Sequence, residues 1–190
     1  MGMDIRLVAV DSEELRRPEY VLDDRLRSAH RLSRLFCNLM WRRFGLEEAT
    51  ELDQIAGMFG LDVSPLYDMM HHCEEWQVVE MLELANSEEE RQKVRDEAAQ
   101  TRLRLTGNLV QVLALVRTIV DRLSKVADLP ARLEHDGFDP LDMKNYFSQV
   151  DAASSLESAR PNFGQDLRNF RNFLEYAKSN GVTSVGFQFT

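Results

Sequence analysis

The stretch from Ser87 to Val126 constrains the fold most, because it contains no proline over about forty residues and has the pattern of a long helix. Ser87 and Glu90 match the capping box that starts helices. From Leu105 onward, apolar residues recur at spacings of four and three, which places them on one side of a helix. These apolar residues are Leu105, Leu109, Val112, Val116, Ile119, Leu123 and Val126, and Val110, Leu113 and Val120 widen the stripe. A stripe this broad predicts one long central helix, buried within a bundle.

Both ends of the chain have the pattern of short strands. Ile5–Val10 is rich in β-branched residues, and Thr183–Phe189 alternates apolar and other residues. Two strands alone are marginally stable, so we expect them to pair with each other and lie on the helices. The predicted fold class is therefore α+β and predominantly α: a helical bundle around the long central helix, with a small sheet from the two terminal strands. The length suits a single domain over residues 1–190.

Other segments also have helical periodicity and recognisable caps. Gly45 is expected to end the first of them, Pro65 to begin the third with Ser64 as its N-cap, and Asn162 to cap the last. The predicted helices are Tyr20–Phe44, Glu47–Phe59, Pro65–Ala85, Asp139–Val150 and a last helix that begins at Phe163 and stops at Asn180-Gly181.

The negative charge of the chain is concentrated in one segment. Residues 46–90 contain thirteen Asp or Glu and no Lys or Arg, whereas the segments before and after each carry +2, so the whole net charge of −9 arises here. A concentrated acidic surface attracts a basic partner and disfavours nucleic acid. The candidate partner contacts are Glu47, Glu48, Glu51, Asp53, Glu74, Glu75, Glu80 and Glu83.

These patterns favour a non-enzymatic, protein-binding regulator of the antitoxin, immunity or adaptor type, without a cofactor. The first ten residues lack the pattern of a secretory signal, and no apolar run reaches the roughly 20 residues that span a bilayer, so we expect a cytoplasmic protein. Cys37 and Cys73 are expected to be reduced thiols, although the sequence alone allows a disulfide. Nothing in the sequence indicates an oligomeric state.

A second hypothesis is a helix-turn-helix transcriptional regulator. Residues 46–86 have the appearance of an acidic insertion, within which Ala56, Gly60 and Leu61 fit the spacing of a helix-turn-helix. Against DNA binding, the chain contains no cation from Gln54 to Glu83 to meet a phosphate.

A third hypothesis is a hydrolase. Arg25 and His30 match the Arg-x4-His spacing of HEPN-type ribonucleases, in which the arginine stabilises phosphate charge and the histidine acts as acid or base. A metal-dependent site is the other form of this hypothesis. On a helix Asp68 and His72 share a face, as do His71 and Glu75, so either pair could offer two metal ligands. Structural roles for these residues remain the alternative.

An arginine stripe is also predicted on the first helix. Arg27, Arg31 and Arg34 fall at spacings of four and three, so they share one flank of the helix predicted for Tyr20–Phe44. They would contact phosphate or, as we favour, pair with the acidic segment of residues 46–90.

The two ends of the chain resemble the YfbM-like family of uncharacterised bacterial proteins. The resembling residues are Met1-Gly2-Met3, Ser12-Glu13-Glu14-Leu15, Leu22-Asp23-Asp24 with His30, Phe138-Asp139-Pro140-Leu141-Asp142-Met143 with Tyr146, the helix Phe170–Ala177, and Gly181 before the last strand. The chain departs from the family at Ala29, where an aromatic residue is expected, and in residues 46–90. The resemblance implies a compact α+β fold and no particular activity.

Overall fold

A computed structural model of the chain describes residues 5–12, 15, 28–45, 49–134, 140–148 and 162–189. These residues are mainly helical and include one small antiparallel sheet, which confirms the predicted α+β class. In chain order the elements are β1 (Ile5–Ala9), α1 (Arg34–Gly45), α2 (Glu51–Phe59), α3 (Ser64–Asp68), a 3-10 turn (Met69–His71), α4 (Glu75–Leu84), α5 (Glu88–Leu105), α6 (Leu109–Leu123), a second 3-10 turn (Leu129–Arg132), α7 (Pro140–Phe147), α8 (Phe163–Ser179) and β2 (Val185–Phe189).

The two terminal strands pair with each other, as predicted. Leu7 lies opposite Phe187, and Ala9 lies opposite Val185. All four side chains are buried, because the sheet lies with this face on the helices. The sheet therefore joins the two ends of the chain at the core.

Aromatic rings from distant segments fill the centre of the core. The ring of Phe36 on α1 lies 6.5 Å from Phe163, 6.1 Å from Phe170 and 6.4 Å from Phe187, measured between centroids. α8 buries one complete side and packs against α6. The predicted stripe residues Leu109, Val112, Leu113, Val116, Ile119 and Leu123 are buried in α6 and are thus confirmed as core. Val110, which was predicted to widen the stripe, is 61% exposed, and Val120 is only partly buried.

The predicted continuous helix Ser87–Val126 is wrong, because it breaks at Gly107 into α5 and α6, which are bent by 60°. Gly107 has a φ of +72°, a left-handed conformation that glycine adopts without strain. Its N–H donates to the hydroxyl of Ser184 at 3.0 Å. The buried side chain of Asn108 donates to the carbonyl of Val185 at 2.9 Å and accepts from its N–H at 2.8 Å. The bend is therefore held by the residues that lead into β2.

The predicted helix Tyr20–Phe44 is also interrupted, since residues 31–33 are not helical and α1 begins at Arg34. The hydroxyl of Ser33 accepts from the N–H of Phe36, and the Ser33 N–H donates to Asp166 of α8 at 2.7 Å. Arg31 and Arg34 consequently lie on either side of a helix start and do not form a stripe along one helix. Arg27 lies outside the described residues.

Other helix boundaries differ from the predictions by a few residues. Residues 49–50 are not helical, and α2 starts at Glu51 behind an N-cap at Thr50. α3 has Val63 as its N-cap, so Ser64 is its first residue. The predicted Pro65–Ala85 helix breaks at residues 72–74. Asn162 caps α8 by accepting from the N–H of Gln165 at 2.8 Å, as predicted.

Among the described residues, no single helix has the length and apolar composition needed to cross a membrane, and only α5 and α6 taken together pass that test despite their bend.

Candidate partner-binding surface

α4 and α5 form a helical hairpin in which α4 keeps an unusually exposed apolar surface. Six of the ten residues of α4 are apolar, yet none of its residues is buried. α5 is mostly polar and buries only Leu105, where it meets the body of the protein. A mainly apolar helix normally buries its apolar residues against a neighbour. α4 therefore has one side against α5 and another without a covering element in the described structure.

Local caps position this hairpin. Glu74 and Gln77 form a capping box at the start of α4, in which the Glu74 N–H donates to the Gln77 side chain at 2.8 Å. Ser87 caps α5 by accepting from the N–H of Glu90 at 3.1 Å, as the sequence predicts. The Glu90 carboxylate accepts from the N–H of Asn86 instead of the N–H of Ser87.

One side of α4 combines apolar and acidic residues, and we call it the outer face. Trp76, Val79 and Leu84 are 61%, 49% and 72% exposed. Glu80 and Glu83 follow Trp76 at spacings of four and seven residues, so the helix places them on the same side. The outer face therefore consists of Trp76, Val79, Glu80, Glu83 and Leu84. The half-buried Val78 and Leu82 lie on the side turned away from it.

The acidic residues of α4 keep their charge unneutralised. Two cations of α5 pair with carboxylates outside α4: Arg95 with Glu88 at 2.8 Å, and Arg104 with Asp68 at 3.8 Å. Within the described part of the chain, no ion pair reaches the exposed carboxylates of α4, which are Glu75, Glu80 and Glu83. The outer face is thus apolar and negatively charged together.

A shallow groove of about 340 Å³ lies where α4 meets the first half of α5. Met81, Leu84 and Val94 contribute its apolar lining, and Lys93 and Glu97 are among its polar residues. Leu84 belongs to both the groove and the outer face, so the apolar surface continues around the end of α4.

The structure separates the predicted acidic contacts into exposed and structural residues. Glu75, Glu80 and Glu83 are exposed. Glu74 is half-buried, caps α4 and lies 3.4 Å from the imidazole of His72. Asp53 belongs to the capping box of α2, where it accepts from the Thr50 N–H at 2.8 Å. Glu47 and Glu48 lie outside the described residues.

Glu51 does not lie on the surface, which corrects its prediction as a partner contact. Its carboxylate is 1% exposed and is bonded to the guanidinium of Arg42, which is 8% exposed. The Arg42 guanidinium neutralises the charge of Glu51 inside the protein, and the pair joins α1 to α2. Its role is structural.

The predicted metal-ligand pairs, Asp68 with His72 and His71 with Glu75, do not lie along a continuous helix. The chain leaves helical geometry at residues 72–74, so Glu75 starts a different helix from Asp68. The Asp68 carboxylate faces Arg104, and the His72 side chain packs directly over Gly186 of β2. Among the described residues, no three His, Cys, Asp or Glu side chains come together as a metal would require.

The residues of the HEPN-type hypothesis are only partly described, since Arg25 lies outside the described residues. His30 is half-buried beside Phe173 and Tyr176, with ring centroids 5.8 Å and 5.4 Å away. Burial lowers the pKa of the His30 imidazole, so its environment favours the neutral form.

Both cysteines are free thiols. Cys37 is buried and accepts from the Ile5 N–H at 3.2 Å. Burial raises the pKa of the half-buried Cys73 thiol, which disfavours the thiolate that a nucleophile requires.

The residues of the helix-turn-helix hypothesis, Ala56, Gly60 and Leu61, lie in α2 and in the left-handed turn at Gly60 that leads to α3. α3 spans only five residues, and two of them, Pro65 and Leu66, are buried in the core. A recognition helix lies in the major groove and presents side chains to base edges. This geometry does not favour α3 in that role.

Sequence reasoning missed a buried polar cluster around Asp166. The Asp166 carboxylate accepts from the Ser33 N–H and hydroxyl at 2.7 Å and 2.5 Å, and from the Tyr146 hydroxyl at 2.7 Å. Burial raises the pKa of Asp166 and of Tyr146. The cluster joins α1, α7 and α8, and no local pattern could have shown it, because its members are far apart in the chain.

The apolar residues of the outer face were also missed as surface residues. The sequence contained one signal for them: α4 has more apolar residues than a single buried side requires.

Comparisons with protein-family models, with curated proteins and with solved structures return no match for the chain. The resemblance to the YfbM-like family therefore stays a prediction.

Proposed function

We propose that this protein is a cytoplasmic, non-enzymatic regulator that binds a basic protein partner through the outer face of α4. The observation that supports the proposal is the combination, on one exposed helix face, of three large apolar side chains with glutamates that form no ion pair with any other described residue. An antitoxin, an immunity protein or an adaptor would each use such a face to mask a cationic site on its target.

Burial of the apolar side chains would provide affinity. Full burial of a side chain such as Val or Leu stabilises by about 1.5–3 kcal/mol, and aromatic and apolar anchors near the centre of an interface account for most binding energy. Trp76 has the largest apolar area on the face and lies beside Glu80 and Glu83. We therefore expect Trp76 to be the central contact.

The uncompensated glutamates determine the charge of the partner. A basic surface gains attraction from Glu75, Glu80 and Glu83, and this attraction accelerates encounter at low salt. A second copy of the chain docked α4 to α4 would bring these glutamates close to their own duplicates, which costs free energy. The charge pattern therefore favours a different, cationic protein.

The test is to isolate the bound protein with the wild-type chain, identify it, and titrate the purified partner against variants. Trp76→Ser should weaken the complex by at least about tenfold, because the central anchors of an interface cost about 2 kcal/mol or more when truncated. Val110→Ser is the matched control, since Val110 is equally exposed but lies on α6. Equal binding by the two variants would refute the proposal.

Charge reversal tests the electrostatic part separately. Glu80→Lys together with Glu83→Lys should weaken binding and reduce its dependence on salt, because the partner would lose its attracting charges. Glu134→Lys is the control, since Glu134 is exposed and its backbone contacts α2 rather than the hairpin. A salt-independent affinity in the wild-type complex would contradict a basic partner.

A further inference from the structure

We infer that the partner docks as a single amphipathic helix whose arginine stacks on Trp76 and pairs with Glu80, with Glu83 one turn further along the same side. This inference rests on the proposed function and specifies the chemistry of its partner. It combines two properties of the outer face: an exposed indole ring, and two carboxylates on the same side of the helix.

The spacing of Trp76, Glu80 and Glu83 brings an aromatic face and two acceptors together. Residues three or four apart on a helix are neighbours, with Cβ atoms about 5–6 Å apart. Trp76 and Glu80 have this relation, and so do Glu80 and Glu83. Trp76 and Glu83 are two helical turns apart, about 10 Å along the axis. A group that contacts the Trp76 ring therefore lies beside Glu80, and Glu83 lies one turn further along the same side of the helix.

Arginine fits this arrangement better than lysine. Its guanidinium is flat, so it stacks on an indole ring while its N–H groups form two parallel bonds to a carboxylate. The lysine ammonium is a compact, strongly hydrated charge that cannot form both contacts in the same way. The outer face should therefore distinguish two peptides of equal charge.

The partner element is a helix because α4 offers side chains only. The backbone N–H and C=O groups along a helix are already bonded within it, so α4 cannot add a strand to a sheet. Val79 and Leu84 flank the Trp76–Glu83 stripe at helical spacing. A second helix places apolar residues of its own against such a ridge when they recur every three or four residues.

The probe is a synthetic peptide of three heptads with leucines on one face and arginines beside them, compared with a peptide in which every arginine is lysine. Binding is measured by fluorescence anisotropy and by the emission of Trp76 in a Trp41→Phe background, which removes the other tryptophan. The arginine peptide should bind about tenfold more tightly, because its guanidinium stacks on the indole ring and pairs with a carboxylate at the same time. Trp76→Leu should remove this preference while it retains apolar area.

Paired variants separate the carboxylates from general charge. Glu80→Gln with Glu83→Gln should weaken both peptides, whereas Glu134→Gln should leave them unchanged, because Glu134 lies outside the hairpin. Equal affinity of the wild-type chain for the two peptides, or an arginine preference that survives in Trp76→Leu, would overturn the inference. Absence of binding to either peptide at low salt would overturn it too. In each of these cases the native partner's response to Trp76→Ser decides the proposed function independently.

Discussion

Replacement of Glu51 by glutamine tests whether this acidic residue stabilises the fold rather than contacting a partner. Glutamine has almost the same shape as glutamate, so the substitution removes the charge and little else. The Arg42 guanidinium, 8% exposed, would remain inside the protein without the negative charge of Glu51. Removal of one member of a buried ion pair costs about 3–5 kcal/mol, because the other charge stays desolvated.

That cost is a large part of the expected stability of the chain. Domains of this kind unfold with a total free energy of about 5–15 kcal/mol. For a chain of this size each 1 kcal/mol lowers the melting temperature by about 2–4 °C, so Glu51→Gln should lower it by about 6–20 °C.

The assay is urea and thermal unfolding followed by far-ultraviolet circular dichroism. Glu80→Gln is the matched control, because it makes the same chemical change on the exposed outer face and should alter stability by less than about 0.5 kcal/mol. Arg42→Met combined with Glu51→Leu should recover most of the lost stability, since apolar replacement of a buried pair is often neutral. Equal unfolding midpoints for Glu51→Gln and Glu80→Gln would refute the buried ion pair.

Three further predictions concern the packing and the titration of residues outside the hairpin. Gly186→Ala should destabilise the protein by about 1–3 kcal/mol, because a new Cβ would lie 2.7 Å from the His72 Cβ. Gly57→Ala should stabilise the protein slightly, because a Cβ there meets nothing within 4 Å. Urea unfolding measures both changes. Gly107→Ala should cost about 1–2 kcal/mol by the same assay, because its φ of +72° is left-handed. Burial lowers the pKa of His30 in the folded protein, so the imidazole binds a proton more readily in the unfolded chain than in the folded one. The wild-type chain should therefore lose stability as the pH falls below the ordinary histidine pKa of about 6.5. His30→Phe should have a smaller loss over the same pH range.

Each of these expectations has a contrary result. Gly186→Ala as stable as Gly57→Ala would mean that His72 does not pack on β2. An unchanged unfolding midpoint in Gly107→Ala would contradict a left-handed residue at the bend. Parallel stability curves for the wild-type chain and His30→Phe between pH 7 and 5 would show that His30 is not desolvated.

Local patterns predicted the elements whose causes are local. The strands follow from alternation within a few residues, and α8 follows from the Asn162 cap and a strict apolar spacing. The narrow apolar stripe of α6 was also correct, because one side of a helix can be recognised from its period, whereas the widening of the stripe to Val110 was wrong.

The helix breaks could not be predicted, because remote residues stabilise each of them. Asn108 leaves the helix where Val185 offers both a carbonyl and an N–H. Ser33 starts α1 where Asp166 accepts its N–H. The helical period of apolar residues continues through both breaks, and it carries no information about hydrogen-bond partners that lie far away in the sequence.

The acidic segment was recognised in the sequence, but its division into surface and interior was not. Glu51 and Glu80 are the same residue type in the same charge block, and only the position of Arg42 distinguishes them. The exposure of Trp76 and Leu84 was not predicted either, because a sequence does not show how many sides of a helix are covered by other elements.

The anchoring of Asn108 to β2 links the outer face of α4 thermodynamically to the two ends of the chain. β2 is paired with β1, and the same strand holds the bend that sets the direction of the α4–α5 hairpin. Such linkage is reciprocal: a partner that binds only the bent form must also protect the terminal strands. Slower amide exchange in β1 upon partner binding, far from the contact, would be its signature.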